Sequence, residues 1–173
     1  MIVSRSSRIV AVAFGTFAAY QSQPEAATLN ATMPASLTIV DTCSAFSAGS
    51  MAFGTAASSG QVNAETIVSV TCTGGAPYNI YSSGGLNDTC TAGVVYDYHM
   101  SNAQGQVPYR IFTNPERTTE LAHQGLGGCG SQAPDLTGVG TGSSQGYVLY
   151  GAAYPTGAAS GTYNDTVTLT VFF

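Results

Sequence analysis

The sequence predicts an all-β domain, most simply a β-sandwich, and three observations carry this prediction. Short runs of residues alternate between apolar and polar types, as half-buried strands do. Turn-like stretches separate these runs, and the chain holds 21 glycines and 7 prolines. Only 8% of the residues are charged, against about 25% in an ordinary soluble domain, so the charged residues that favour long exposed helices are scarce.

Residues 1–27 have the pattern of a secretory signal peptide. Arg5 and Arg8 give the chain a positive start, and a mainly apolar run follows at residues 9–19. This run is too short to cross a bilayer as a helix, which takes about 20 residues. We therefore expect export, with cleavage near Ala18 or near Ala27. A buried N-terminal helix is the alternative interpretation.

Residues 28–43 alternate between apolar and polar types, but the run is too long for one ordinary strand. Pro34 lies in its middle, and proline suits a break or a sheet edge. The pattern therefore predicts two extended segments, 28–34 and 36–43. The first of them need not pair within its own domain.

The remainder of the chain contains further strand-like runs. Predicted strands are residues 66–73, 78–82, 96–100, 107–112, 147–151 and 163–173. Residues 113–145 are interpreted as loop because glycine is dense in their second half. The run at 163–173 is the strongest, and a strand at that place can leave an open edge that invites another chain to pair. A surplus strand on one molecule and an open edge on the next would form a polymer.

Four cysteines, an even number, predict two disulfides in an oxidising compartment. They are Cys43, Cys72, Cys90 and Cys129. Three pairings are possible, and the order along the chain favours Cys43–Cys72 and Cys90–Cys129. Cys72 lies on the same face of its predicted strand as the valines. Cys43 lies on the same face of its predicted segment as the apolar residues before it. Both thiols are therefore expected to point inward. A zinc site is disfavoured because no two cysteines lie within ten residues of each other.

The composition argues against a nucleic-acid-binding protein. The chain has four arginines, no lysine and nine acidic residues, which leave a net charge of -5. Such a chain cannot build the basic face that nucleic acid requires. Disorder is also disfavoured, because 44% of the residues are hydrophobic.

No motif indicates catalysis. The two histidines are His99 and His123. Asp97 and His99 share a face of a predicted strand and serines are common, but no G-x-S-x-G elbow and no H-E-x-x-H motif occurs. We interpret His99 as an ordinary strand residue. The sequence therefore predicts no enzyme, no catalytic residue, no cofactor and no metal site.

Short motifs stand in a characteristic order over about residues 36–173. Cys43 is followed by Met-Ala-Phe-Gly at 51–54, and further pieces lie at 67–78, 100–102, 107–113, 117–119 and 161–171. Together these pieces resemble the spore coat protein U domain, the subunit type of archaic (Csu-like) chaperone–usher pili. Cys90 and Cys129 are additions to that pattern.

The resemblance implies an incomplete immunoglobulin-like β-sandwich that lacks its last strand and is completed by donor-strand complementation. In that family a periplasmic chaperone lends a strand, and the N-terminal segment of the next subunit later replaces it. Residues 36–173 would be the pilin domain, and residues 28–35 would be the donor strand. The inward residues of the donor strand would be Leu29, Ala31, Met33 and Ala35. The acceptor edge would present Val167, Leu169, Val171 and Phe173.

The function so implied is that of a secreted structural subunit of a bacterial surface pilus or coat, which supports adhesion or biofilm formation. Its partners would be the periplasmic chaperone, an outer-membrane usher and neighbouring subunits of a homopolymer, with no nucleic acid. It would cross the periplasm and then lie at the cell surface. The alternative is a carbohydrate- or surface-binding adhesin module, because ten tyrosines could form a sugar-binding platform. A secreted hydrolase is a third class that lacks a supporting motif.

Overall fold

The computed structural model describes residues 28–82, 84–91, 95–123, 133–134 and 136–173. The chain divides into two compact units, Met1–Leu37 and Thr38–Phe173. In the first unit, residues 28–37 are exposed and have no regular secondary structure. The predicted signal peptide at 1–27 lies outside the described residues. No helix in the described part of the chain is long and apolar enough to cross a membrane.

The described residues of the second unit form strands and no helix, which confirms the predicted all-β class. The strands are β1 Cys43–Ala48, β2 Val62–Cys72, β3 Pro77–Ser82, β4 Thr89–Thr91, β5 Val95–Asn102, β6 Gly105–Phe112, β7 Leu136–Val139, β8 Gln145–Ala153 and β9 Leu169–Phe172.

Two antiparallel sheets make up the fold. The larger sheet has the order β1-β2-β8-β6-β5-β4, and the smaller has the order β7-β3-β9. The alternation in β2 explains how the larger sheet buries one face. Val68 and Val70 are buried, whereas Ile67 is exposed and pairs with the exposed Val148 of β8. This period of two is the pattern that predicted the strand.

The hydrophobic core lies between the two sheets. The larger sheet contributes Val68, Tyr109 and Leu149, and the smaller contributes Tyr78 and Ile80. Burial of such side chains is the main favourable contribution to folding, at about 1.5–3 kcal/mol for each large one.

A hydrogen bond between two tyrosines joins the sheets. The hydroxyl oxygens of Tyr78 in β3 and Tyr147 in β8 lie 2.5 Å apart. Gly138 of β7 makes room for this pair, because a Cβ atom there would collide with both hydroxyl groups. Burial, followed by the bond to Tyr147, raises the pKa of Tyr78. Tyr78 therefore stays protonated and keeps a hydrogen available for the bond.

The structure corrects the two longest predicted strands. The predicted extended segment 36–43 is a strand only from Cys43, and Leu37 and Ile39 are 86% and 75% exposed. Cys43 pairs with Cys72, the last residue of β2, so the residues before Cys43 run past the end of their partner. The predicted strand 163–173 begins only at Leu169, which pairs with Ser82, the last residue of β3. In both cases the partner strand ends, although the alternation of apolar and polar residues in the sequence continues.

The region 113–145, interpreted from sequence as loop, contains β7. Leu136 is buried, and β7 pairs with β3 from Leu136 opposite Ile80 to Val139 opposite Pro77. The strand was not predicted because glycine is frequent around it, and frequent glycine is typical of loops. The short strand β4 was also not predicted.

The predicted disulfide between Cys43 and Cys72 is confirmed. Their Cα atoms lie 3.9 Å apart, and the bond joins the start of β1 to the end of β2. Cys72 is buried and Cys43 is half-buried against the core. The second predicted pair includes Cys129, which lies outside the described residues, so that pairing stays a prediction.

Candidate functional site

A groove with an apolar floor and a volume of about 1050 Å³ opens along the second unit. We call residues 48–58, between β1 and β2, the first wall, and residues 155–169, between β8 and the start of β9, the second wall. Between the walls, the floor is formed by residues of the larger sheet. The main floor residues are Met100, Val107, Tyr109, Ile111, Leu149 and Ala153.

The floor of the groove is the hydrophobic core itself. Val107, Tyr109, Ile111 and Leu149 are buried core residues that also line the groove. A sandwich normally covers such residues with strands on both sides. These four residues are only 1–6% exposed, so the groove reaches the core but leaves little of it open to solvent.

The first wall is held against the floor by two side chains. Met51 and Phe53 pack against the core. A Cβ atom at Gly151 in β8 would collide with both of them, so only glycine at 151 lets the wall come this close. The ring of Phe53 meets that of Tyr109 edge to face, with centroids 5.9 Å apart.

Over residues 163–168 the second wall forms no strand, and Asn164 makes an isolated bridge to Ser101. The backbone of this wall is tied at two points. Asn164 and Ser101 of β5 exchange two backbone hydrogen bonds of 3.1 and 2.9 Å, and the Thr168 amide donates to the Gly84 carbonyl at 3.0 Å. One further bond, from the Gly157 amide to the Ser58 carbonyl at 3.1 Å, joins the two walls.

The carboxylate of Asp165 fastens the middle of the second wall. One oxygen, Oδ2, accepts a hydrogen bond from the Tyr109 hydroxyl at 2.7 Å. The other, Oδ1, accepts from the Leu86 amide at 3.0 Å and from the Asn87 side-chain amide at 3.2 Å. A single side chain thus connects the wall with the floor and with the loop after β3.

Electrostatics keep this connection in one protonation state. Burial raises the pKa of Tyr109, and the bond to Asp165 and that carboxylate's charge raise it further, so the hydroxyl remains a donor. The neighbouring Asp88 also has a raised pKa, mainly because it is buried and partly because of the Asp165 charge. The Gly85 amide donates to Asp88 and opposes this shift.

The side chains of the predicted donor residues are exposed to solvent. Leu29 is 98% exposed and Met33 is 89% exposed, and Ala31 and Ala35 are exposed as well. Nothing in an isolated chain tests whether they enter another molecule, so their role stays a prediction.

The four residues predicted for the acceptor edge have different positions. Val167 and Leu169 line the groove. Val171 packs against the core from β9, and Phe173 is 58% exposed. Among the described strands, β9 pairs only with β3, so its other edge is open.

Sequence reasoning did not assign the first wall or the floor. Met51 and Phe53 were noted only as part of a motif, and Tyr109 only as part of a strand-like run. For Asp165 the sequence favours a carboxylate bonded to backbone or tyrosine over a general acid, and the bonds from the Leu86 amide and the Tyr109 hydroxyl confirm this. Gly151, the last residue of a predicted strand, indicates that another group approaches the backbone closely there, but a single glycine does not identify that group.

The described residues do not favour a catalytic or metal site. They contain no cluster of His, Cys, Asp and Glu side chains suited to a metal ion. His99 is half-buried on β5, and His123 is buried next to Ser82 of β3. The features that stand out are structural, namely an all-β sandwich and an apolar groove that reaches its core.

Comparison with known proteins identifies the family. The chain matches the model of the Spore Coat Protein U domain over residues 29–170, and it belongs to that family, as its motifs predicted. Among solved structures it is similar to a chain in the CsuC–CsuE chaperone–tip adhesion subunit pre-assembly complex from archaic chaperone–usher Csu pili of Acinetobacter baumannii. The TM-score is 0.56 at 23% identity, and the match covers 79% of this chain and 40% of that chain. A comparison with curated proteins finds no match.

Proposed function

We propose that this protein is an exported structural subunit of a bacterial surface pilus, in which the groove of one subunit binds residues 28–35 of the next. The observation that carries the proposal is a groove that reaches the hydrophobic core, in a chain that also holds an exposed alternating segment. Addition of an extended segment to an open sheet is a common recognition mode. The role is structural and involves no catalysis.

The donor segment has the length and the alternation of an added strand. Eight extended residues span about 26 Å, at about 3.3 Å each. Leu29 and Met33 point to the same side as Ala31 and Ala35, because side chains alternate along an extended chain. Burial of Leu29 and Met33 would contribute about 3–6 kcal/mol, and each main-chain hydrogen bond about 0.5–1.5 kcal/mol.

The proposed partners are a periplasmic chaperone, an outer-membrane usher and further copies of this chain. A chaperone that lends a strand would cover the groove until the next subunit replaces it. The similar solved chain comes from a complex with a chaperone, which supports this order of events. The Cys43–Cys72 disulfide agrees with export through an oxidising compartment. At the cell surface, the fibre would support adhesion or biofilm formation.

The test changes the two large donor residues. Leu29→Asp or Met33→Asp should abolish fibres, because a charged carboxylate would have to enter an apolar groove. The same variants should still be recovered in complex with the chaperone, because the chaperone supplies its own strand. Fibre yield is counted by electron microscopy, and the chaperone complex is measured by co-purification.

The control variants alter residues on the opposite side of the donor segment. Asn30→Ser and Thr32→Ser should form normal fibres, because these side chains face away from the groove. Normal fibres from Met33→Asp would contradict the proposal. Loss of the chaperone complex together with the fibres would also contradict it, since residues 28–35 would then belong to the fold of their own subunit.

A further inference from the structure

We infer that Tyr109 and Asp165 are positioning residues that set the width of the groove and thereby the affinity for the incoming strand. The inference rests on the proposed function, because it assigns these residues a part in strand binding. It concerns how the second wall is held, since that wall lies opposite the first and has no strand ladder of its own.

The hydrogen bonds of Asp165 come from two other parts of the molecule. The Tyr109 hydroxyl belongs to the floor, and the Leu86 amide and Asn87 side chain belong to the loop after β3. All three donate to one carboxylate, and hydrogen bonds to a charged acceptor are stronger than bonds between neutral groups. The position of residue 165 is therefore fixed relative to both the floor and the loop.

Tyr109 connects the two walls across the floor. Its hydroxyl bonds to Asp165 of the second wall, and its ring meets Phe53 of the first wall. Across the floor, one rigid side chain and one hydrogen bond thus connect the two walls at this point. Without the hydroxyl, the second wall would lose its side-chain bond to the floor and would retain the backbone bonds between Asn164 and Ser101.

The loop after β3 is adapted to this arrangement. A Cβ atom at Gly85 would collide with the Asp165 carboxylate, and it would lie 2.9 Å from Asp88 Oδ1. Glycine at position 85 therefore allows the loop to approach Asp165 closely enough for the Leu86 amide to donate. The backbone bond from Thr168 to Gly84 holds the same loop to the end of the wall.

A positioning role differs from a purely structural one in a measurable way. If the Tyr109–Asp165 bond served only stability, its loss would destabilise the free and the strand-bound protein equally. The Kd for the strand would then stay the same. If the bond sets the groove width, its loss would raise the Kd, because the wall must be ordered when the strand binds.

The experiment measures the Kd of a labelled synthetic peptide of residues 28–35 for the full chain at low protein concentration. The variants are Tyr109→Phe and Asp165→Ala, alone and combined. Tyr109→Phe should raise the Kd about tenfold, and Asp165→Ala should raise it further, because it also removes the bonds from Leu86 and Asn87. The double variant should bind about as well as Asp165→Ala alone, because both changes remove the same bond.

Two further variants make the result decisive. Tyr78→Phe removes a tyrosine hydroxyl bond in the core, away from the groove, and should change the Kd by less than about twofold. Asn87→Ala removes one of the three donors to Asp165 and should raise the Kd about threefold. It serves as the milder variant if Asp165→Ala fails to fold.

The outcomes separate this inference from the proposed function. If the unaltered chain binds the peptide and Tyr109→Phe binds it equally well, the inference is overturned and the proposed function stands. Equal weakening by Tyr78→Phe would assign the effect to a general loss of stability and would also overturn the inference. If the unaltered chain does not bind the peptide at all, both are overturned.

Discussion

At the scale of single residues, Asp88 is a carboxylate placed where its charge is unfavourable. It lies in the loop after β3, where burial is the main cause of its raised pKa and Asp165 adds to the shift. His99 and the Gly85 amide act in the opposite direction. The folded protein therefore binds the proton of Asp88 more tightly than the unfolded chain does.

We predict that Asp88→Asn raises the free energy of unfolding near neutral pH. A raised folded-state pKa means that the contribution of Asp88 to stability falls as the pH rises from about 3.9, the usual value, through the raised value. Asparagine is neutral at every pH and can still accept from the Gly85 amide. Urea unfolding followed by tyrosine fluorescence should show a gain near pH 7 that shrinks as the pH is lowered through this window.

Asp41→Asn is the matched control, because Asp41 is exposed. This variant should follow the stability of the unaltered chain across the same pH range. A lower stability of Asp88→Asn near neutral pH, with an unchanged dependence on pH, would show that the Asp88 charge is needed and that our account is wrong.

At the scale of elements, the Cys43–Cys72 bond holds the strand that leads into the first wall. β1 lies at the edge of the larger sheet and pairs only with β2 among the described strands. The disulfide joins residues 29 apart in sequence at the start of this pairing. The first wall begins at Ala48, where β1 ends, so its position depends on β1.

We predict that replacing both cysteines, as Cys43→Ser with Cys72→Ser, lowers the free energy of unfolding by about 3–4 kcal/mol. The physical reason is the larger conformational entropy of the unfolded chain once this loop is no longer closed. Binding of the peptide of residues 28–35 should weaken as well, because the first wall loses its anchor. Urea unfolding and peptide titration measure the two effects.

Ser47→Ala provides the comparison for that variant, because Ser47 is an exposed residue of the same strand. It should change the free energy of unfolding by less than about 0.5 kcal/mol. If the double serine variant unfolded at the same urea concentration as the unaltered chain, β1 would be held by its sheet pairing alone.

At the scale of the whole molecule, the chain carries apolar surface in two complementary forms. One is the groove, whose floor is the hydrophobic core. The other is the exposed segment with Leu29 and Met33. Exposed apolar patches of this kind favour association with other chains.

We therefore predict that the isolated chain associates as its concentration rises, because one molecule's segment can enter another's groove. Light scattering should show larger species, and an excess of the synthetic peptide of residues 28–35 should suppress them by filling the groove. A peptide with aspartate in place of Leu29 and Met33 should have no such effect. A stable monomer at every concentration, with residues 28–35 open to proteolysis, would contradict this prediction.

The fold class, the family and one disulfide follow from the sequence alone. Alternation in 62–72 is a local property, so the buried face of β2, including Cys72, can be read from parity alone. The order of the cysteines along the chain predicted the bond between Cys43 and Cys72, whereas the face predicted for Cys43 rested on Leu37 and Ile39, which are exposed. The motifs around 51–54 and 161–171 identified the family that the family model confirms.

The ends of the strands and the place of the groove depend on contacts between residues that are distant in sequence. Alternation continues before Cys43 and back to Tyr163, but a strand needs a partner at every residue. The partners end at Cys72 and at Ser82, so the ladders end there too. The groove brings together a floor and two walls that are distant in sequence. Asp165 reaches Tyr109, 56 residues away along the chain, and no local pattern in the sequence encodes such a contact.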